Sequence, residues 1–393
     1  MAALDAVDPE LAVRTALRRR PMEGPVTVIS IGKAAAAMAR GVPGAVSGVV
    51  VSDHAESLPD GFVTFVGAHP IPDGASLAAG RAVISVVEAT DGPILFLISG
   101  GSSALCELPL PGLTIEDVAG VTAVLLRSGA DISAMNAVRK HLSSLKGGRL
   151  AARAAGRVAR TLVMSDVVGD PLDAIGSGPT VPDPTTYADA MDVLERFRIR
   201  VPGAVAAVLA AGRRGERAET PKEPFSDHLV EVVANAALAA GAAADAARAK
   251  GIRARVETTE LRGDTETAAT MAVTGPPEEG MTFLAGETTV VVTGGGVGGR
   301  NQHAALAAAL VLEGADDRLL FGTLATDGVD GPTDAAGAVV DSGSVARGRS
   351  AGLDARAYFS NHASHPFLEA SGDLLRIGPS GTNVGDLWVV WQR

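Results

Sequence analysis

Short aliphatic, β-branched runs alternate with longer amphipathic stretches along almost the whole chain, and this alternation constrains the fold more than any other feature. Val26–Ile31, Gly48–Val51, Phe62–Val66, Pro93–Ile98 and Thr161–Met164 read as strands. Lys33–Arg40, Ser76–Glu88, Ile115–Arg127, Ala134–Leu145, Ala188–Phe197 and Ala204–Ala211 carry helical spacing. Strands separated by helices pair in parallel, with helices on both faces of the sheet. The first half is therefore expected to be a doubly wound α/β domain. Arg217–Asp227 is polar, holds two prolines and reads as a linker. Beyond it come strand Leu229–Val233, helix Ala236–Lys250 and strand Arg253–Thr258, then a break at Gly275–Gly280. Strand Thr288–Thr293, a helix from Asn301 to Leu312, strand Leu319–Gly322 and a last strand Leu387–Trp391 complete the pattern. A chain of 393 residues exceeds one ordinary core, so two domains are expected, 1–225 and 226–393.

Composition narrows the chemistry. The net charge is −11 and aromatic residues are only 3%, so neither the basic surface nor the stacking platforms of a nucleic-acid binder are supplied. No apolar run approaches the roughly 20 residues that span a bilayer. The first residues, MAALDAVDPE, lack the basic and apolar regions of a signal peptide. Cys106 is the only cysteine, which excludes an internal disulfide and a cysteine-ligated zinc, and a reducing cytoplasm is the expected location. An acidic protein that handles an anionic substrate must build a local positive site against its own field. The basic residues beside glycine loops are therefore the ones to follow.

Three strand-to-helix loops stand out. TVVVTGGGVGGRNQ places Gly294, Gly295, Gly296 and Gly299 before Arg300 and Asn301. Such a loop can turn backbone N–H groups and a helix N-terminus toward an anion, with the arginine fork beside them. It overlaps a Walker A spacing without its Lys and Ser/Thr, and a G-x-G-x-x-G without the following acid, so it is neither motif in full. ISGGSSAL offers Ser99, Gly100, Gly101, Ser102 and Ser103 as candidate substrate or nucleotide ligands at a strand's carboxyl end. In SIGKAA, Lys33 sits at a helix start, where a cation is disfavoured unless an anion meets it. Two aspartate clusters, Asp327 with Asp330 and Asp166 with Asp170, follow strands and suit metal binding or hydroxyl activation. NAVRKHLSSLKGG adds Arg139 and Lys140 as candidates for a substrate carboxylate or phosphate.

Taken in order, the chain resembles the glycerate 2-kinase family with its C-terminal MOFRL domain. The matching stretches include IGKAAAAM, AHPIPDGAS, LISGGSSAL, NAVRKHLSSLKGGRLA, SDVVGDPLDAIGSGPTVPDPTT, GETTVVVTGGGVGGRNQ, ATDGVDGPTDAAGA and GPSGTNVGDL. Two departures are Ser102, where the family usually has a third glycine, and His303, where it has an acid that would partner Arg300. The resemblance implies a larger Rossmann-like N-terminal domain and a smaller mixed α/β domain with the MOFRL region at about 285–391. It implies transfer of a phosphoryl group from ATP to the 2-hydroxyl of D-glycerate with Mg²⁺, in a cleft between the domains. Lys33 and Arg300 are then the central cations, and Asp327 and Asp166 catalytic acids. Asp170 and Asp330 are the expected Mg²⁺ ligands, and Thr382 and Asn383 further substrate or nucleotide ligands. No nucleic acid or membrane partner is expected, and a homodimer is one open assembly. Two rival readings stand beside this one: an NAD(P)H-dependent hydroxypyruvate reductase, and a non-catalytic sensor of small phosphorylated metabolites.

Overall fold

The computed structural model describes residues 1–44, 47–275, 279–315 and 318–393. The chain divides into two compact units. The first comprises Pro9–Met164 and Asp170–Val233, and the second Met1–Asp8, Ser165–Gly169 and Ala234–Arg393.

The first unit is built on strands β1 (Thr27–Ile31), β2 (Ser47–Ser52), β3 (Phe62–Val66), β4 (Ile94–Ile98), β5 (Ala159–Met164) and β6 (His228–Ala234). Their order is β3-β2-β1-β4-β5-β6, the Rossmann order, and the pairs from β3 to β5 are all parallel. β4 and β5 are buried at every residue, as a sheet covered on both faces requires. β1 and β4 lie side by side, with Ile31 opposite Ile98, although β2 and β3 intervene in sequence. The chain thus leaves β1 toward one edge and leaves β4 toward the other. That reversal opens a crevice at the strands' carboxyl ends, where such sheets bind ligands. β6 completes this sheet, so the unit runs past the expected boundary at 225 to Val233.

A helical cluster packs beside the sheet, from helices Ile115–Arg127, Ile132–Lys140, Tyr187–Arg196 and Gly203–Arg213. It encloses two lysines. Lys140 is 1% exposed between Asp173 (3.0 Å) and Asp183 (3.1 Å), and Lys146 is paired with the buried Glu107.

The second unit holds β7 (Ala254–Leu261), β8 (Gly280–Gly286), β9 (Leu319–Ala325), β10 (Gly337–Val340), β11 (Leu374–Leu375) and β12 (Asp386–Gln392). The order is β11-β10-β9-β12-β8-β7, parallel only between β7 and β8. The helix Arg300–Leu312 covers one face of this mixed sheet; its Ala304–Ala309 run is buried, and small side chains allow close approach to the sheet. Trp388 and Phe321 meet edge to face at 5.4 Å beneath it. The N-terminal helix Ala2–Ala6 packs on helix Ala236–Ala249, and the hydroxyl of Thr382 donates to Val7 O at 2.8 Å.

One expected strand is absent. Thr288–Thr293 is extended but has only a single bridge, from Thr289 to Asp264, and Val291 and Val292 are 79% and 66% exposed. The strand in this region is β8, just upstream, beside the expected break at Gly275–Gly280, whose residues 276–278 lie outside the described ones. A β-branched run reads as buried from composition, but here the neighbouring ladder position is already filled by β12.

Candidate active site

In the first unit the loops after β1 and β4 are braced against each other at the crevice. Gly32 has φ +134°, a conformation open to glycine, and an added methyl there would collide with Ser99. The Ser99 hydroxyl accepts from Ala34 N at 3.1 Å, and Lys33 N donates to Gly100 O at 2.9 Å. Gly101 turns through the left-handed region at φ +82°, beside the Lys33 stem and the His69 ring. The backbone of Lys33 is therefore fixed while its side chain is exposed. Among the described residues it has no carboxylate partner. Burial first, and then the positive charges of Lys33 and Arg139, lower the pKa of His69, which keeps the ring neutral at pH 7.

The serines have separate roles. Ser103 donates to Ser177 at 2.6 Å, and Ser177 in turn donates to Asn136 at 2.8 Å. Ser102, the departure from the family pattern, buries a hydroxyl against Gly176 that has no hydrogen-bond partner among the described residues. Of the two adjacent cations at the end of helix Ile132–Lys140, Arg139 has no hydrogen-bond or ion-pair partner among the described residues, whereas Lys140 is enclosed by Asp173 and Asp183. Lys140→Ala leaves Asp183, 0% exposed, without its ion-pair partner. It is expected to lower stability by about 3–5 kcal/mol in chemical denaturation while leaving the substrate KM of the folded fraction within about two-fold.

In the second unit β12 begins where its antiparallel neighbours end. Asp386 is opposite Gly286 and Ala325, so Glu287, Asp386 and Asp327 converge although they are far apart in sequence. They line a pocket of about 490 Å³ with Arg300, Asp330, Asn383, Val290 and Val329. Arg300 is held by carboxylates: Nε to Asp386 at 2.6 Å, one terminal nitrogen to Asp386 at 3.1 Å, the other to Glu287. Although burial opposes it, these carboxylates raise the Arg300 pKa further. The partner expected from an acid at 303 is thus supplied by Asp386 and Glu287, and His303 instead stacks between Phe359 (4.4 Å) and His362 (4.9 Å).

The glycine loop is not an open anion cradle. Gly294 N donates to His362 Nδ1, Gly295 N to the Asn361 side chain at 3.1 Å, and Gly296 N to Asn361 O at 2.8 Å. Side chains at Gly294 and Gly296 would collide with Asn361 and Ala363, and one at Gly299 with Asp330. Gly294, Gly296 and Gly299 are close-packing positions, whereas Gly295 faces open space. The helix start is capped as well: the Asp330 carboxylate accepts from Asn301 N (3.0 Å) and Gln302 N (2.8 Å). Burial raises Asp330 to about 6 despite those bonds. Asn301 is wholly buried, donating to Asp386 at 2.8 Å and accepting from Trp388 at 2.9 Å. The polar atoms of Asn301, Asp330 and Thr382 are thus bonded inside the fold, Asp330 at the pocket wall and the other two buried.

Asp327 is different. One of its oxygens accepts from Val329 N at 3.0 Å, and the other has no protein partner among the described residues. Asn383 lines the same pocket, its side chain accepting from Gly385 N at 3.1 Å. Asp166 and Asp170 both have interaction partners, and Asp166 belongs to the second unit while Asp170 belongs to the first. Among the described residues no group of three His, Cys, Asp or Glu side chains is arranged around a metal site. Nor is any helix long and apolar enough to cross a membrane. Sequence reading missed Glu287, Asp386 and His69. The first two lie within the matching stretches GETTVVVTGGGVGGRNQ and GPSGTNVGDL, but what brings them together is the β8–β12–β9 register.

Comparison with known proteins adds the lineage. The profile described as "Domain of unknown function (DUF4147)" matches residues 1–210, and that of the MOFRL family matches 280–386. The chain is 38% identical to a D-glycerate 2-kinase of Thermotoga maritima over 98% of its own length and 94% of the relative's. It is 39% identical to a putative hydroxypyruvate reductase of Agrobacterium vitis over 98% and 91%. The crystal structure of a glycerate kinase from Thermotoga maritima superposes with a TM-score of 0.91 at 37% identity, covering 100% of this chain and 97% of that one.

Proposed function

The chain belongs to the glycerate 2-kinase family, and on that footing we propose that it transfers the terminal phosphoryl group of ATP to the 2-hydroxyl of D-glycerate, giving 2-phosphoglycerate and ADP. The observation that carries this reading is Lys33: an unpaired cation, rigidly based, at the crevice of a Rossmann-ordered sheet in a protein of net charge −11. The helix begins at Ala35, two residues beyond the expected start, and a cation just ahead of its N-terminus still faces the positive end of the helix dipole unless an anion joins it.

Phosphoryl transfer asks a protein chiefly for positioning and for positive charge where negative charge develops. Lys33, a flexible ammonium on a fixed base, suits the phosphate oxygens. Ser99 and Gly100 hold that base, and the neutral His69 beside it adds no competing charge. In the second unit, Arg300 keeps the Glu287 and Asp386 carboxylates in place, and Asp327 presents an unpartnered oxygen to its pocket. That donor set fits Mg²⁺, which takes one or two carboxylates and completes its shell with water and phosphate oxygens. Asp327 is the residue that would hold it, with Glu287 nearest in kind. When bound, the ion neutralises phosphate charge. Asp330 is too fully engaged at the helix start to serve.

The reductase reading loses its structural basis. Its G-x-G-x-x-G lies in a loop whose first three N–H groups bond Asn361 and His362, and whose helix is already capped by Asp330. Purified protein with Mg²⁺ is expected to form ADP from ATP in a glycerate-dependent manner and to leave NADH unchanged in the presence of hydroxypyruvate. NADH oxidation without ADP formation would reverse the assignment. Glycerate and ATP binding without turnover would favour the sensor.

A further inference from the structure

Two neighbouring residues at the end of helix Ile132–Lys140 have opposite fates. Lys140 is wholly buried and neutralised by two aspartates, whereas Arg139 is half-buried and has no hydrogen-bond or ion-pair partner among the described residues. The obvious partner, Glu107, is already engaged. Its carboxylate accepts from Ser143 (2.5 Å), from Leu108 N (2.9 Å) and from the Lys146 ammonium. The helix C-terminus favours a cation, but its field satisfies none of the five guanidinium N–H donors. Burial lowers the Arg139 pKa, and the pull of the Glu107 carboxylate, which hydrogen-bonds Lys146 and Ser143 instead, does not make up the difference.

Asn136, one turn before Arg139 on the same helix face, accepts from Ser177, which hydrogen-bonds Ser103 in the loop after β4, so this helix end lies beside the loop in which Gly101 meets Lys33 and His69. Two unpaired cations of different shape therefore serve the same end of the sheet. A planar fork matches a carboxylate through two parallel hydrogen bonds, whereas an ammonium is a point charge with no such preference. We infer that Arg139 binds the carboxylate of the hydroxy-acid substrate, leaving Lys33 for the phosphate chain. The inference rests on the kinase reading above and adds which substrate group meets which cation.

Steady-state kinetics of wild type, Arg139→Ala and Arg139→Lys with D-glycerate and with its uncharged amide provide the test. Arg139→Ala is expected to raise the glycerate KM about 10- to 100-fold, keep the ATP KM within about two-fold, and abolish the preference for glycerate over the amide. Arg139→Lys should restore part of that preference. Since the wild-type guanidinium is desolvated without a partner, the Ala variant should melt no lower than wild type, whereas a structural arginine would lower Tm. An unchanged glycerate KM, a rise in the ATP KM instead, or a preserved preference for glycerate would overturn the assignment. Calorimetric titration of glycerate into the same proteins without ATP separates the two readings. Binding without wild-type turnover sinks the kinase reading and leaves Arg139 judged by whether Arg139→Ala still binds. No binding and no turnover sink both.

Discussion

Lys33→Met is expected to lower kcat/KM for glycerate phosphorylation by about 10²–10³-fold, while Tm and the unfolding midpoint stay close to wild type. The two halves of this expectation have separate causes. The Lys33 ammonium makes no ion pair among the described residues, and its side chain is exposed, so truncating it removes little from the fold. Surface changes of that kind usually fall within about 0.5 kcal/mol. What positions the residue is its backbone: Lys33 N on Gly100 O, Ala34 N on the Ser99 hydroxyl, and Gly32 pressed on Ser99. All three survive the substitution. The loss should therefore fall on the reaction, and Lys33→Arg should recover charge without the compact shape of an ammonium. Near-normal turnover in Lys33→Met would remove the residue from the site.

The same contrast between local and distant information decides what could be read from sequence. The Rossmann-like half was legible because each buried strand is a continuous apolar run: Pro93–Ile98 in the sequence is Ile94–Ile98 in the fold, and Ile115–Arg127 is a helix with those limits. Lys33 was legible because its oddity is local, a cation between a buried strand and a helix, although the helix begins at Ala35 and not at Lys33 itself. The glycine loop misled for the same reason. Five glycines around a valine look like an anion cradle until Asn361, His362 and Asp330, 29 to 68 residues away, occupy N–H groups of the loop and helix start. Glu287 and Asp386 escaped because antiparallel register, not spacing, joins them. Lys140 and Arg139 could not be told apart, since adjacent basic residues look alike until Asp173 and Asp183 are placed beside one of them.

Arg300→Met is expected to behave unlike Lys33→Met, by damaging stability as well as activity. Asp386 is 2% exposed and receives two hydrogen bonds from Arg300 and, among the described residues, one more from Asn301. Removing the guanidinium leaves a buried carboxylate beside Asp330, itself buried, with the two bridged by one amide. Breaking a buried pair in this way costs about 3–5 kcal/mol. The effect should depend on pH. Burial already raises the Asp386 pKa against the pull of Arg300, and without Arg300 it rises further. A folded-state pKa above the unfolded value means that the native state binds more protons, so stability is greatest below the unfolded carboxyl pKa and falls as pH rises through the folded one. The gap between Arg300→Met and wild type should accordingly be small near pH 4 and widest at neutral and alkaline pH. Arg300→Lys should narrow it only in part, because an ammonium cannot span Asp386 and Glu287 with a planar fork. Urea unfolding from pH 4 to 8 measures this directly. A gap that does not change with pH would mean that Asp386 is not the group Arg300 holds charged, and the activity lost in Arg300→Met would then belong to chemistry rather than to the frame of the pocket.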